Sequence, residues 1–410
     1  MSFSSYIKRN PIPWPLEPAM PGNVLIRHAA VIPVFDENDH IAAALTSIKQ
    51  ALQYSPEPVA VLLVINEPAH AGIRARNANR ELLASLRRND GKYDGGLIPG
   101  KELFFIDLTD KEIPAKYRTV GNARKIGFDG ILSASDGKVT DRDRLLFSLD
   151  ADTSVEQNYF AAAFECFRND PAPAGAVYNF EHRVDELDSA LRSAVMRYEV
   201  FLLDYAAKLR RSGSIYGFWT IGSAFVCTAQ GYVRCGGMRR HAAGEDFYFL
   251  QALRKTGMVT IIKNSCVHPA GRLSERVPFG TGPAIAKQLA GEELMLYNGK
   301  CFELLREFFC RCDQADLTEL AADIGALAPP ELQVFLADQN FSSTWQKIVK
   351  NTPKVREKLL MALQIYCDGF FILKFCHHLE NTHPEQFART PVNSPQEKLV
   401  QLRREFDLPQ

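Results

Sequence analysis

Two carboxylates close the segment Leu145-Leu-Phe-Ser-Leu-Asp-Ala-Asp-Thr-Ser154. Residues two apart in an extended chain point to the same side, so Asp150 and Asp152 can hold one hard divalent cation, which in turn clamps phosphate oxygens. An Asp-x-Asp triplet alone also suits a turn. Here it follows directly on the apolar run Leu145 to Leu149, the pattern of a buried strand, and that placement favours the cation. Two carboxylates do not complete an octahedral shell, so phosphate oxygens, water and a further protein ligand would share it.

Other groups with chemical potential lie further on. Arg272-Leu-Ser-Glu-Arg276, followed by Gly280-Thr-Gly282, puts two guanidinium groups on a Gly-flanked loop, suited to closing over an anion. Gly244-Glu245-Asp246 opens a helical pattern, where acids serve either the helix dipole or proton transfer. Cys310-Arg-Cys312 lacks a second pair at metal spacing and Cys227, Cys235 and Cys266 are scattered, which argues against zinc. His377 and His378 sit in an apolar helical pattern and read as packing or surface residues.

The elements that must position these groups follow from periodicity. Ala29 to Phe35 reads as a strand ending in Asp36, Glu37 and Asn38, and Ile41, Ala44, Leu45 and Ile48 then recur at helical spacing. Val59 to Ile65 is a continuous apolar run, as in a strand buried on both faces, and it stops at Asn66-Glu67-Pro68. Arg74 to Arg88 and Gly121 to Leu132 read as helices, and Leu103 to Leu108 as a strand between them. Alternating strands and helices predict an α/β fold with a mostly parallel sheet and helices on both faces. Ligands in such sheets bind beyond the carboxyl ends of the strands, where the clusters at Asp36, Asn66 and Asp150 fall. Residues 1–27, with Pro11, Pro13, Pro15, Pro18 and Pro21, read as an extended arm laid over the surface. A helical stripe covers Glu186 to Arg211, a strand pattern Val259 to Ile262, and long helical patterns Ala286 to Phe309, Glu357 to His378 and Gln396 to Phe406. The expected organisation is an arm at 1–27, an α/β domain at 28–282 and a helical C-terminal region at 283–410.

Composition narrows the function classes. At 410 residues, against roughly 150 per domain, the chain has ample material for a large core. Lys plus Arg and Asp plus Glu both number 48, so no bulk field draws nucleic acid or anionic lipid, and any anion must be held locally. The longest apolar run falls far short of the ~20 residues of a membrane-spanning helix. An odd count of 9 cysteines and a start without a signal-like apolar stretch predict a cytoplasmic setting.

Taken in order, Val31-Ile-Pro-Val-Phe-Asp-Glu37, Gly121-Asn-Ala-Arg-Lys-Ile-Gly127, the Asp150-Ala-Asp152 triplet, Gly222-Ser223, Gly236-Gly237 and Gly244-Glu245-Asp246 resemble the family 2 glycosyltransferases, enzymes of the GT-A fold. The resemblance covers residues 28 to 282. It implies a nucleotide-sugar donor (UDP- or GDP-linked), a hydroxyl acceptor and a divalent cation, Mn²⁺ or Mg²⁺. It places base and ribose near Pro33, Asp36, Glu37 and Asn66, although relatives commonly have paired Asp where this chain has Asn66-Glu67. Ala123-Arg124-Lys125 matches the family's Ala-Arg-Asn in its first two positions, with Arg124 facing the nucleotide. Asp152, Asp150 and His268 are the implied metal ligands. Gly222 and Ser223 would line the donor sugar, with Trp219 and Tyr216 as an aromatic platform or as core, and Arg272 and Arg276 would neutralise the diphosphate. Asp246 would be the base, with Glu245 beside it.

The function so implied is metal-dependent, inverting glycosyl transfer. The alternatives are a retaining enzyme in which Glu245 and Asp246 only position substrates, a nucleotidyltransferase, and a non-catalytic nucleotide-sugar-binding or scaffold protein. A nucleotidyltransferase would need a Gly-rich basic loop after the first strand, where this chain has Phe35-Asp-Glu-Asn-Asp. The apolar faces of the C-terminal helices leave peripheral membrane contact and homo-oligomerisation open.

Overall fold

The computed structural model of the chain describes residues 2–19, 26–88, 103–134, 144–170, 172–185, 187–239, 244–273 and 281–409. They form two compact units, Met1–Val195 with Thr220–Leu289, and Met196–Trp219 with Ala290–Leu408.

The first unit is built on β1 (His28–Val34), β2 (Val59–Asn66), β3 (Leu103–Leu108), β4 (Leu145–Ser148), β5 (Ser154–Val155), β6 (Pro173–Phe180), β7 (Phe225–Thr228) and β8 (Met258–His268). They make one sheet in the order β3-β2-β1-β4-β7-β6-β8-β5. Pairing is parallel from β3 through β4 and between β6 and β8, while β7 and β5 run against their neighbours. The expected mostly parallel α/β class is what forms. β6 and β7 were not foreseen: β7 is a four-residue strand, and β6 interrupts its apolar run with Gly175 and Asn179. Gly175 is required for close approach, since a Cβ there would stand 2.8 Å from the Val226 carbonyl oxygen on β7.

The helices of this unit are α1 (Phe3–Arg9), α2 (Asn38–Gln53), α3 (Ile73–Arg88), α4 (Val120–Ala134), α5 (Tyr159–Asn169), the first residues of α6 (Ser189–Arg211), α7 (Ala229–Arg234), α8 (Glu245–Arg254) and α9 (Thr281–Leu289). Two features position the site. Chain order reverses between the adjacent strands β1 and β4, which opens a crevice outside their carboxyl ends. And α4 is buried from Gly121 to Leu132, because Gly127 lets the helix lie on the sheet: a Cβ there would overlap the Val31 side chain on β1.

The arm at 1–27 differs from the extended segment expected. Residues 3–9 are helical, with the Ser2 hydroxyl accepting from the Ser5 N–H at 3.3 Å. Tyr6 is buried and donates to Asp129 Oδ1 at 2.8 Å, and Lys125 Nζ lies 2.5 Å from Asp129 Oδ2. This partner on α4 lies more than a hundred residues away, so local proline content gave no sign of the helix. The Pro-rich stretch does run extended at Glu17, whose backbone exchanges two 2.8 Å hydrogen bonds with Phe105 on β3.

The second unit is mainly helical, with α10 (Gly299–Gln314), α11 (Leu317–Ala321), α12 (Pro330–Asp338), α13 (Phe341–Asn351), α14 (Arg356–Tyr366), α15 (Gly369–Thr382), α16 (Pro384–Phe387) and α17 (Pro395–Glu405), and a two-stranded pair β9 (Met295–Leu296) and β10 (Thr390–Pro391). The long helical patterns are cut by caps. Asn298 accepts from the Lys300 N–H at 3.0 Å to start α10, and Asp368 accepts from the Phe371 N–H at 3.1 Å to start α15. Among the described residues no single helix is long and apolar enough to cross a membrane.

Gly127→Ala should force α4 off β1 and lower stability by about 1–3 kcal/mol, the ordinary cost of overpacking. Chemical denaturation measures it, and an unchanged midpoint would refute the close helix–sheet contact.

Candidate active site

Arg124, on the second turn of α4, is 3% exposed and ties four groups together. Its Nε donates to Glu245 Oε1 at 3.2 Å, Nη1 to Ser148 Oγ at 2.9 Å and the Leu149 carbonyl at 3.3 Å, and Nη2 to Asp150 Oδ1 at 2.5 Å. Ser148 Oγ in turn donates to the Gly222 carbonyl at 2.7 Å. Gly222 leaves room for the guanidinium, since a Cβ there would come to 2.5 Å from Nη2. Burial opposes the positive charge of Arg124, but Asp150 and Glu245 outweigh it and hold the pKa above the ordinary arginine value. Burial also raises the Asp150 pKa, against the pull of Arg124.

A second guanidinium closes the crevice. Arg272 Nε and Nη2 reach Asp152 Oδ2 at 3.0 and 2.8 Å, and Nη2 also reaches both Glu37 oxygens at 2.6 and 2.7 Å. Glu37 follows β1, Asp152 follows β4 and Arg272 follows β8, so one side chain joins three strand ends. Arg183 Nη2 donates to the Asp152 carbonyl at 2.8 Å. Burial works against the Arg272 charge, and Asp152 and Glu37 more than restore it.

Gly244 stands at φ +68°, and α8 begins directly after it with Glu245 and Asp246. Glu245 is buried and is held by Arg124. Asp246 is half-buried, with Oδ1 accepting the Phe247 N–H at 2.7 Å. Its pKa is pushed up to about 7, first by burial and then by the negative charge of Glu245, against the Phe247 N–H and Arg124. A carboxyl group poised there can both lose and regain a proton near neutrality.

The crevice thus brings together Glu37, Arg124, Asp150, Asp152, Gly222, Glu245, Asp246 and Arg272 of the expected residues. Others stand differently. Pro33 lies within the buried strand β1, paired with Val64. Asp36 adopts φ +55° and its N–H donates to Asn79 Oδ1 at 3.2 Å. Asn66 is buried and its amide donates to the Arg118 carbonyl at 3.2 Å, while Asn79 donates to the Asn66 carbonyl at 3.1 Å; it braces β2 against α3. Ser223 is buried. Trp219 and Tyr216 belong to the second unit and are buried there, with Trp219 edge-on to Phe406, which corrects the reading of an aromatic platform. Arg276 and Gly280 lie outside the described residues.

The donor atoms of the expected ligands Asp150, Asp152 and His268 do not all lie within 4.8 Å of one another. Among the described residues, the trio of His, Cys, Asp or Glu whose donor atoms lie within 4.8 Å of one another is Glu181, Cys266 and His268. His268 closes β8 in register with Ser154, the strand running on past the Val259 to Ile262 pattern to reach it. The donor type of Asp150 and Asp152 still suits a hard cation, although each carboxylate is bound to an arginine. Ser148, Asn79 and Arg183 were missed. Ser148 is visible afterwards as the one hydroxyl in an otherwise apolar strand, whereas nothing local marks Arg183.

An open cleft of about 940 Å³ lies at the other ends of the strands, lined by Arg27, Glu57, Leu145, Pro173, Thr228 and Gly257 among others, and it includes none of the expected site residues. By sequence the chain matches no protein-family profile and no curated protein. In structure it is similar to TarS 1–349 of S. aureus in complex with UDP-GlcNAc, at 9% identity over 79% of this chain and 91% of that one, TM-score 0.41. It is also similar to the mannosyltransferase PcManGT of Pyrobaculum calidifontis in complex with GDP-Man and Mn²⁺, at 13% identity over 88% and 92%, TM-score 0.36.

Because the Glu245 charge raises the Asp246 pKa, Glu245→Gln should bring the Asp246 midpoint below about 7. Carboxyl-carbon NMR titration reads this directly, and an unmoved or higher midpoint would contradict the coupling.

Proposed function

We propose that the first unit is a GT-A glycosyltransferase of the family 2 type that moves a sugar from a nucleoside-diphosphate sugar to a hydroxyl acceptor, with inversion. The observation that carries this reading is the convergence, outside β1 and β4, of two guanidinium groups, the Asp150 and Asp152 carboxylates and a half-buried acid with a pKa of about 7. A cation able to exchange onto phosphate, here Arg272, beside a neutral-range base is what displacement of a diphosphate by an alcohol requires.

In the proposed step the acceptor oxygen forms a bond to the anomeric carbon while the bond from that carbon to the diphosphate oxygen breaks. The acceptor proton passes to the Asp246 carboxylate. Arg272 is the group placed to stabilise the departing diphosphate, exchanging Glu37 and Asp152 for phosphate oxygens. Arg124 holds Asp150 and Glu245 through ion pairs and so fixes the start of α8, which carries Asp246. A hard divalent cation arriving with the donor would be held by Asp150 and Asp152 and would neutralise phosphate charge.

UDP or GDP with Mn²⁺ should raise the thermal midpoint, and Asp152→Ala should abolish that shift. Asp246→Asn should keep donor binding and lower transfer by about 10²–10⁴-fold. Equal loss of binding in both variants, or no shift with either nucleotide, would overturn the reading.

The same assignment fixes a pH profile. Asp246 accepts a proton only when ionised, so turnover should fall as pH drops through about 7 and level off above it. A rate that stays flat between pH values of about 5 and 8 would remove Asp246 from the role.

A further inference from the structure

The strand ends of β6 and β8 present a group of donors that sequence spacing does not reveal. Cys266 and His268 are two apart on β8 and project to the same side. Glu181 continues β6, its N–H bonded to the Val267 carbonyl at 3.0 Å, which seats it beside them. One thiol, one imidazole and one carboxylate so arrive with donor atoms within 4.8 Å of one another.

The chemistry of this set differs from that of Asp150 and Asp152. Thiolate and imidazole prefer a borderline or soft ion such as Zn²⁺, whereas two carboxylates prefer Mg²⁺ or Mn²⁺. Bonds of about 2.0–2.3 Å to a tetrahedral ion place donor atoms about 3.3–3.7 Å apart, so from a spread within 4.8 Å the trio needs to close by at most about 1.5 Å. Glu181 is exposed and free to make that move, while Cys266 and His268 are fixed by pairing. Nδ1 lies 3.1 Å from the Glu181 carbonyl oxygen, which only accepts, so Nδ1 donates to it and Nε2 is the nitrogen that an ion would use. The Cys266 N–H is held by Glu156 Oε2 at 2.9 Å, which fixes the backbone under the thiol.

We propose that Glu181, Cys266 and His268 form a three-ligand site for Zn²⁺, with water at a fourth position and the Cys266 thiol losing its proton on binding. The site is separate from the Asp150–Asp152 pair and does not depend on the transferase reading. Its consequence for the first unit is local: His268 stands four residues before Arg272, so a bound ion would brace the strand end from which that guanidinium extends.

Co²⁺ added to chelator-treated full-length protein tests this, because a thiolate ligand gives a charge-transfer absorption that carboxylates and imidazole do not. The wild type should show the band saturating at a single equivalent, and Asp152→Asn should keep it. Cys266→Ser should lose it and bind Zn²⁺ at least about tenfold more weakly. Should Cys266→Ser fail to fold, the exposed Glu181→Gln serves: the band should remain while Zn²⁺ affinity falls by a similar factor. No band in the wild type, a band that survives Cys266→Ser, or unchanged affinity in Glu181→Gln would each overturn the site. None of these outcomes bears on nucleotide binding, so failure here and failure of the transferase reading are told apart.

Discussion

A guanidinium buried to 3% exposure is costly unless its donors are matched, and the first unit is arranged around matching them for Arg124. Two carboxylates, one hydroxyl and one carbonyl come to it from the end of β4 and the start of α8, elements separated in sequence by about a hundred residues. Arginine suits this role because its donors point outward in a fixed plane and its charge persists at every physiological pH. Lysine at the same place would leave donors and acceptors unpaired. The position of α4 on the sheet, set by the missing side chain at Gly127, and the missing side chain at Gly222 are therefore one constraint seen at two points.

Arg272 makes a useful contrast. Its side chain is 26% exposed and its partners Glu37 and Asp152 are carboxylates at the crevice. A partly solvated pair can exchange partners at modest cost, whereas the Arg124 cluster cannot lose a member without leaving a buried charge unpaired. The two arginines thus divide the work. One fixes the geometry of the acids, and the other is able to answer to an incoming anion.

The half of the sheet formed by β1, β2, β3 and β4 was legible in the sequence because these strands are buried apolar runs bounded by polar clusters, and periodicity detects such runs directly. The Asp150–Asp152 and Glu245–Asp246 pairs were legible for the same reason, as acids at the edge of an element. What stayed hidden depends on distant partners. The helix at 3–9 owes its place to Asp129 and Lys125, Arg183 reaches Asp152 only through the β6–β8 pairing, and Cys266 and Glu181 meet only because parallel strands align their ends. Trp219 and Tyr216, open between platform and core in the sequence, are core, because an aromatic beside Gly222 in sequence belongs to another unit in space.

Acids at the first positions of a helix invite a bland explanation, since the helix dipole alone favours them and lowers their pKa. The start of α8 departs from that pattern in two ways. Gly244, with no side chain, occupies the cap position, and Glu245 is turned to Arg124 and away from the helix amides. Asp246 does receive one helix N–H, from Phe247, and still titrates near 7, so burial and the charge of Glu245 together exceed the stabilisation that the helix end supplies. A carboxylate kept for capping would be driven the other way. The elevated pKa follows from burial and from placing two acids side by side with the Arg124 guanidinium bonded to the first of them, an arrangement that costs stability at neutral pH.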